Sequence, residues 1–290
     1  MKNSNALSIS PLRRTMIHLT LIALALPFLL PLVWMVSTSL KTDMELYASS
    51  GTLSSSTSLK VLIPYSMHWQ NYPDALKAAP FGIYLRNTLF LCLVNVMAAV
   101  LSSAIVAYGF ARHKFPGKSL LFLLMISTMA LPAQATMVPV FAMYRWLGWY
   151  GTYMPLVFGS FFGVPFYIFL LTQFFRTLPE DLAEAARIDG ASEFTIFWRI
   201  ALPLAKPALA TCALFQFLGT WNDFFGPLLY INDPNKYTLA YGLQQFLSSY
   251  GGRWAQLMAG ATIFTLPIII LFFLAQRTFI QGIATTGSKG

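Results

Sequence analysis

Residues 87–111 read NTLFLCLVNVMAAVLSSAIVAYGFA, a run that contains no Asp, Glu, Lys or Arg. A helix needs about 20 predominantly apolar residues to cross the hydrocarbon core of a bilayer, so this run is long enough to span one. Its apolar residues are continuous rather than alternating with polar ones, which argues against the strand of a membrane barrel. The stretch therefore predicts a transmembrane helix.

The composition of the whole chain agrees with that prediction. Hydrophobic residues make up 57% of the 290 residues and charged residues only 10%, whereas soluble domains carry about 25% charged residues. The formal net charge is +9, but the basic residues occur singly between apolar runs. Because no basic stripe with interleaved aromatic residues is present, we predict membrane lipid and not nucleic acid as the chain's surroundings.

Six apolar runs are long enough to cross a membrane. They cover about residues 15–40, 87–111, 119–144, 153–175, 207–230 and 254–276, and only the fifth contains a charged residue, Asp223. The first run exceeds the 7–15 apolar residues typical of a cleaved signal peptide, so we expect it to be retained. The predicted fold is an all-α membrane protein, with one permease domain of six spans over residues 1–290.

The basic residues between the spans predict the orientation of the chain. With the N-terminus inside, twelve of the 19 Lys and Arg residues fall in cytoplasmic segments and seven in outer ones. The short loop 112–118 alone holds three of them. Since cytoplasmic loops carry an excess of Lys and Arg, both termini are predicted to be cytoplasmic.

The outer segment 41–86 is too long to be a simple turn. It is polar and rich in serine at first, and then carries Trp69 and Tyr72. Two interpretations stay open: a flexible connection, or a surface that receives an extracytoplasmic partner.

The inner loop 176–206 holds five of the ten acidic residues. Thr177 and Glu180 have the spacing of a capping box, which predicts the start of a helix. Gly190 can adopt a positive φ and end that helix. Intervals of three and four residues predict one helix face with small residues at its centre, formed by Leu182, Ala185, Ala186 and Asp189.

A second short helix is predicted over residues 192–202. Four residues are expected to share its apolar side: Phe194, Phe197, Trp198 and Ala201. This side would be buried against the base of the bundle, which leaves the first helix to protrude and insert into a groove of a partner. The loop could instead be a cover that only faces water.

The same loop resembles a known family. Glu184-Ala185-Ala186, Gly190, Ile200 and Leu202-Pro203 match without a gap the EAA loop of the permeases of binding-protein-dependent ABC importers. Trp221-Asn222-Asp223-Phe224 and the segment Pro227-Leu228-Leu229 look like the carbohydrate-uptake branch. Within that branch, the chain is similar to the shorter, six-span permease of a heterodimeric pair, as in maltose-type transporters.

This resemblance implies a type I importer permease in the bacterial inner membrane, with a cytoplasmic coupling helix. Its expected partners are a second permease subunit, a cytoplasmic ATPase dimer and an extracytoplasmic substrate-binding protein that delivers a sugar. The residues expected to couple the chain to the ATPase are Glu184, Ala185, Ala186, Asp189 and Gly190.

The chain is not expected to be an enzyme or to hold a cofactor. Gly117-Lys118-Ser119 resembles the end of a phosphate-binding loop, but Arg112 stands where that loop requires its first glycine. ATP hydrolysis is therefore expected in a separate subunit. The cysteines and histidines lack the spacing of a disulfide framework or a metal site.

An ionisable residue within a span is costly and therefore suggests a function. Asp223, with Trp221 and Asn222, would offer a sugar an aromatic face together with donors and acceptors. Gln134 and Asn87 are further candidates for the substrate path. Each of these polar residues could instead serve as a hydrogen-bond partner between helices.

Two alternatives to a sugar importer remain. The first is an importer permease for a non-sugar solute, which would share the same loop. The second is a secondary transporter that works alone, which would be expected to carry inverted repeats and buried carboxylates. The second is disfavoured, because Asp223 is the only acidic residue within a predicted span and no inverted repeat is evident.

Overall fold

The computed structural model describes residues 10–52, 62–250 and 253–287. Over these ranges the chain forms α-helices joined by short 3-10 and π turns, without a strand. The predicted all-α class is thereby confirmed. The chain divides into two compact units, one with residues up to 79 and 246–265, the other with residues 80–245 and 266 onwards.

The first unit contains the long helix α1 (Pro11–Ser39), then α2 (Asp43–Thr52) and α3 (Asn71–Ala78), together with the beginning of α15 (Trp254–Gly287). Residues 11–34 of α1 are exposed, up to 84% at Phe28. So wide an apolar surface requires lipid or another protein as its surroundings. At the end of α1, the Asn71 amide donates to the carbonyl oxygens of Ser39 and Lys41, both at 2.8 Å, and thereby anchors α3.

The second unit is organised around α4 (Phe81–Arg112), which packs against α8 (Pro165–Thr177) and α12 (Lys206–Trp221). Its other α-helices are α5 (Lys118–Thr128), α6 (Ala133–Trp146), α7 (Met154–Val157), α9 (Asp181–Ile188), α10 (Glu193–Ile196), α11 (Leu202–Leu204), α13 (Phe225–Tyr230) and α14 (Leu239–Tyr250), the last of which extends beyond the unit. Small residues such as Ala99, Ala104 and Ala107 are fully buried on α4. They let neighbouring helices approach closely, as is typical of membrane bundles.

Four helices in the described ranges are long and apolar enough to cross a membrane. They are Pro11–Ser39, Phe81–Arg112, Met154–Thr177 and Trp254–Leu274. A fifth is obtained if Glu193–Leu204 and Lys206–Trp221, which meet at 77°, count as one broken span.

The predicted run 119–144 differs from a continuous helix, because it folds as α5 and α6 with a break between them. Pro132 explains where α5 ends. Proline has no N–H to donate to the carbonyl four residues earlier, and its ring clashes with that carbonyl. That carbonyl belongs to Thr128, the last residue of α5.

The predicted run 207–230 is also interrupted, between Trp221 at the end of α12 and Phe225 at the start of α13. Pro227 acts here as Pro132 does in the other run, since the carbonyl four residues before it is that of Asp223. The break therefore falls at the charged residue that the sequence singled out.

Candidate functional site

The inner loop forms a helix, a turn and a second helical segment. At the end of α9 the N–H of Gly190 donates to the carbonyl of Arg187 at 3.0 Å, and the N–H of Ala191 donates to that of Ala186 at 2.9 Å. Gly190 has a φ of +80°. This is the left-handed helix end in which glycine is favoured, so the conformation predicted for Gly190 is confirmed.

The start of α9 differs from the predicted capping box. Thr177 is the last residue of α8, and its hydroxyl donates to the carbonyl of Phe174 at 2.7 Å. Glu180 precedes α9 without a side-chain capping bond. The capping prediction was therefore wrong, because the preceding helix extends to Thr177 and uses its hydroxyl.

The second segment consists of α10, a π-helical turn at Phe197–Ala201, and α11. Ser192 caps its start by accepting from the N–H of Thr195 at 3.3 Å. The predicted apolar side is only half correct, since Phe197 and Ala201 are buried but Phe194 and Trp198 are 72% and 37% exposed.

The reason for this difference is an ionic contact at Glu193. Its carboxylate accepts from Arg187 Nε at 2.7 Å and, through its other oxygen, from the Tyr108 hydroxyl at 3.5 Å. Glu193 therefore faces α4, and residues three and four positions further lie on the same side of a helix. These residues are Ile196 and Phe197, which are both buried.

The Arg187–Glu193 pair spans the turn at Gly190 and connects the two parts of the loop. The hydrogen bond from Arg187 holds the pKa of the Glu193 carboxyl below its ordinary value. His113 Nε2 lies 4.0 Å from the same carboxylate. The carboxylate is thus the point at which α9, α10 and the end of α4 meet.

Aromatic packing continues this connection into the core of the unit. The ring of Tyr108 lies 5.1 Å from that of Phe197 and 5.7 Å from that of Phe175. Arg112 adds a hydrogen bond of 2.6 Å to the carbonyl of Leu178, at the entry to the loop. The loop is therefore joined to α4 and α8 by direct contacts.

The five residues predicted to couple the chain to an ATPase lie together on α9 and its end. Glu184, Ala185, Asp189 and Gly190 are exposed and Ala186 is half-buried. Ala183 is the buried residue of α9. Beside them, Ile188 is 86% exposed. The outer surface of the loop thus combines small, acidic and apolar groups that have no cover in the described chain.

The residues predicted for a substrate path do not lie together. Asp223 lines a cavity of about 250 Å³ within the second unit. The other polar side chains around this cavity are Asn95, Ser160, Gln216, Thr220 and Thr238. Ser160 donates to the Asn95 amide oxygen at 2.6 Å. The lining thus offers hydroxyl, amide and carboxyl groups, and no Lys or Arg lines the cavity in the described chain.

Asp223 also has a structural task. One of its carboxylate oxygens accepts from the N–H of Gly226 at 2.9 Å, at the start of α13. A Cβ on Gly226 would lie 2.5 Å from the other carboxylate oxygen and 2.8 Å from Leu156 Cδ2. The Asp223 carboxylate thus stabilises the break in the run 207–230, and its position requires a residue without a side chain at 226.

The remaining candidates do not line this cavity. Trp221 is buried and stacks on Phe217 at 5.4 Å, and the Asn222 amide donates to the carbonyl of Leu218 in its own helix at 2.8 Å. Gln134 is exposed on α6.

Asn87 is buried in the second unit, where its amide donates to the carbonyls of Asn235 and Tyr237 at 2.8 and 3.0 Å. The sequence did not single out Ser160 or Thr238, which reach the cavity from distant segments. Within the described residues no group of His, Cys, Asp and Glu is arranged to hold a metal ion.

Comparison with known proteins places these features in a family context. Residues 99–285 match the family described as binding-protein-dependent transport system inner membrane component. The probable ABC transporter permease protein YurM of Bacillus subtilis is 34% identical over 94% of this chain and 87% of its own length. The arabinooligosaccharides transport system permease protein AraQ of the same organism is 32% identical over 96% of both chains.

A further relative, the diacetylchitobiose uptake system permease protein NgcG of Streptomyces coelicolor, is 31% identical over 90% of this chain and 84% of its own. Among solved structures, a chain of a bacterial ABC transporter that imports the acidic polysaccharide alginate superimposes with a TM-score of 0.73. The two chains are 24% identical, and the superposition covers 91% of this chain and 96% of the transporter chain. At this identity the structural likeness concerns the fold.

Proposed function

Because the chain belongs to the family of binding-protein-dependent transport system inner membrane components, we propose that it is the permease subunit of an ATP-driven importer for a sugar or oligosaccharide. The exposed loop anchored to α4 through Glu193 is the observation that carries this proposal. The sugar class is supported by relatives over nearly the whole chain that are named for arabinooligosaccharide and diacetylchitobiose uptake.

In this proposal α9 is the coupling helix. Its outer surface, with Glu184, Ala185 and Gly190, docks in a groove of a cytoplasmic ATPase dimer. The small side chains allow close approach of another backbone, and Ile188, at 86% exposure, is available as an apolar anchor. The ionic and aromatic contacts of Glu193 and Tyr108 then pass the movement of the ATPase to the membrane helices.

The chain works with three partners in this proposal: the ATPase dimer, a second permease subunit in a heterodimer, and a binding protein outside the membrane. In this proposal both termini are cytoplasmic, which the bias of basic residues supports, and the membrane is the bacterial inner membrane, which the family description supports. The outer segment 41–86 is the candidate for receiving the binding protein, since Tyr65 and Trp69 are 95% and 63% exposed there.

The polar cavity around Asp223 is proposed as a contact point for the sugar. Broken membrane helices often line substrate sites, because their backbone ends are free to bind polar groups. Here the break between α12 and α13 borders the cavity, whose side chains offer both donors and acceptors to hydroxyl groups. Trp221 is not included in this proposal, because its ring is buried against Phe217.

Uptake by the reconstituted transporter tests the coupling role. The chain is assembled in proteoliposomes with its second permease and ATPase, and uptake is started with the loaded binding protein. We expect Glu184→Gln to lower ATP-driven uptake strongly while the binding protein captures ligand normally. Glu180→Gln is the matched control, because Glu180 is an exposed carboxylate just before the same helix and should leave uptake near the wild-type value.

A second measurement reports docking directly. Ala185→Cys should form a cross-link to a cysteine placed in the groove of the ATPase, whereas Lys114→Cys should not. Normal uptake by Glu184→Gln together with an absent Ala185→Cys cross-link would refute the coupling role. The sugar itself can be identified by ligand-binding assays of the partner binding protein with a panel of oligosaccharides.

A further inference from the structure

A groove with a volume of about 550 Å³ lies along the beginning of α5. Lys118 and Arg176 line it and form its cationic part. Its apolar part consists of Phe122, Leu123 and Ile126.

Neither cation of the groove forms an ion pair with a carboxylate among the residues that the structure describes. The two ion pairs within the described residues both involve Glu193, and neither includes Lys118 or Arg176. Lys118 Nζ donates to the carbonyl of His113 at 2.9 Å, which uses one of the three hydrogens of its ammonium group. The guanidinium of Arg176 lies 5.7 Å from the centre of the Phe122 ring and is exposed.

The backbone adds to this positive end. Gly117, with a φ of +77°, precedes α5 without a side-chain cap, and the first turn of α5 contains no acidic residue. The first N–H groups of a helix lack partners within the helix and favour an anion near them. The helix start alone would not make a site, but here two unpaired cations border the same groove.

The apolar part continues along α5 from Phe122 to Ile126. Leu123 is 60% exposed and Ile126 is half-buried. From Lys118 to Ile126 the helix rises by about 12 Å. A charged group at one end and an apolar wall of this length fit the headgroup and the first part of the acyl chain of a phospholipid.

We propose that this groove binds an anionic phospholipid of the cytoplasmic leaflet. Its phosphate lies between Lys118 and Arg176 near the start of α5, and its acyl chain follows Phe122, Leu123 and Ile126. Basic residues immediately inside a membrane span attract anionic lipids in this way. The proposal depends on the orientation given under Proposed function, which puts loop 112–118 on the cytoplasmic side.

Lipid retention by the purified transporter tests the proposal. The complete complex is prepared in nanodiscs that contain phosphatidylcholine with phosphatidylglycerol, and the lipids that remain bound after detergent exchange are identified by native mass spectrometry. Removing one cation, as in Lys118→Gln or Arg176→Gln, should weaken phosphatidylglycerol binding about fivefold. Lys114→Gln is the matched control, because it removes an exposed cation from the same loop but does not line the groove.

A second variant protects the test against misfolding of the charge variants. Leu123→Trp adds bulk to the exposed apolar wall and should displace the acyl chain without altering any charge. Equal retention of phosphatidylcholine and phosphatidylglycerol, or equal losses in Lys114→Gln and Lys118→Gln, would overturn the proposal. So would a cross-link from Leu123→Cys to the second permease subunit, since the groove would then be a protein interface.

Because retention is measured without ATP and without sugar, it is independent of transport. A complex that keeps phosphatidylglycerol at Lys118 but fails to import any sugar would count against the proposed function alone. A complex that imports sugar normally but shows no preference for phosphatidylglycerol would count against the lipid site alone.

Discussion

Replacement of Gly190 by alanine should test the turn of the inner loop 176–206 without removing any other contact of that loop. Gly190 has a φ of +80°, and a Cβ built on it meets no atom within 4 Å. The substitution therefore introduces backbone strain and no clash. An L-residue in the left-handed conformation costs roughly 1–2 kcal/mol, which corresponds to a factor of about 5–30 in an equilibrium.

The strain should appear as weaker docking of the ATPase. We expect the alanine-substituted turn to relax away from the left-handed conformation in the free permease and to regain it on docking. We therefore expect the affinity of the ATPase for the permease complex in nanodiscs to fall by about 5–30-fold in Gly190→Ala. Gly190→Asn should have a smaller effect, because asparagine tolerates this conformation better than alanine.

Gly148 provides a control with the same backbone cost. Its φ is +73° and its Cβ would also meet nothing within 4 Å, but it lies in the turn after α6. Gly148→Ala should lower thermal stability and leave the ATPase affinity unchanged. The reasoning is refuted if Gly190→Ala docks like the wild type, or if Gly148→Ala loses as much affinity.

Three further predictions concern packing and charge. Gly242→Ala should lower the free energy of unfolding by about 1–3 kcal/mol, measured by thermal denaturation, because the new Cβ would overlap the ring of Tyr84; Tyr84→Leu in the same chain should recover part of the loss. Asn87→Leu should cost about 1–3 kcal/mol in the same assay, since two carbonyl oxygens lose their donor. Arg187 lowers the pKa of Glu193 in the folded loop. The stabilisation from this pair is therefore present above the unfolded pKa of about 4.3 and is lost as the pH falls through the lower folded value. Protease protection of the loop should show this acid dependence in the wild type and lose it in Glu193→Gln.

Each of these predictions has an outcome that contradicts it. A double variant of Gly242 and Tyr84 no more stable than Gly242→Ala would indicate that the ring is not the obstacle. Asn222→Leu, which changes an exposed amide, should cost much less than Asn87→Leu, and equal losses would argue against the buried pair of hydrogen bonds. If the acid sensitivity of the loop persists in Glu193→Gln, a group other than Glu193 is responsible for it.

The parts of the fold that depend on local rules were predictable from the sequence. Long uncharged runs indicated membrane helices, and a glycine after a helical pattern indicated the left-handed end at Gly190. Ser192 was correctly expected at the start of the second segment. In each case a few neighbouring residues determine the conformation, so the sequence alone contains the necessary information.

The breaks in the helices were harder to predict. Pro132 and Pro227 mark positions where a helix can bend, but membrane helices also tolerate proline when other groups satisfy the freed backbone. Whether such a proline bends or interrupts a helix depends on its surroundings. At Pro227 the interruption is held by Asp223 and by the absence of a side chain at Gly226.

Contacts between distant segments account for the remaining differences. The exposed positions of Phe194 and Trp198 follow from the contact of Glu193 with Tyr108, which is 85 residues away in the chain. The polar cavity likewise combines Asn95, Ser160 and Thr238 from three separate segments. Helical periodicity describes one helix at a time and therefore does not contain these pairings.

Glu193–Leu204 meets Lys206–Trp221 at an angle of 77°, so a rotation at their joint moves the far end of the first segment. The first of these segments is about 18 Å long at 1.5 Å per residue, and it joins the second at Ala205, which is fully buried. A rotation of about 10° around this joint displaces the far end by about 3 Å, roughly the spacing of two residues along a helix. That far end is Glu193, which contacts Tyr108 and His113 at the end of α4, so a rotation of this size requires either that α4 follows or that these contacts break.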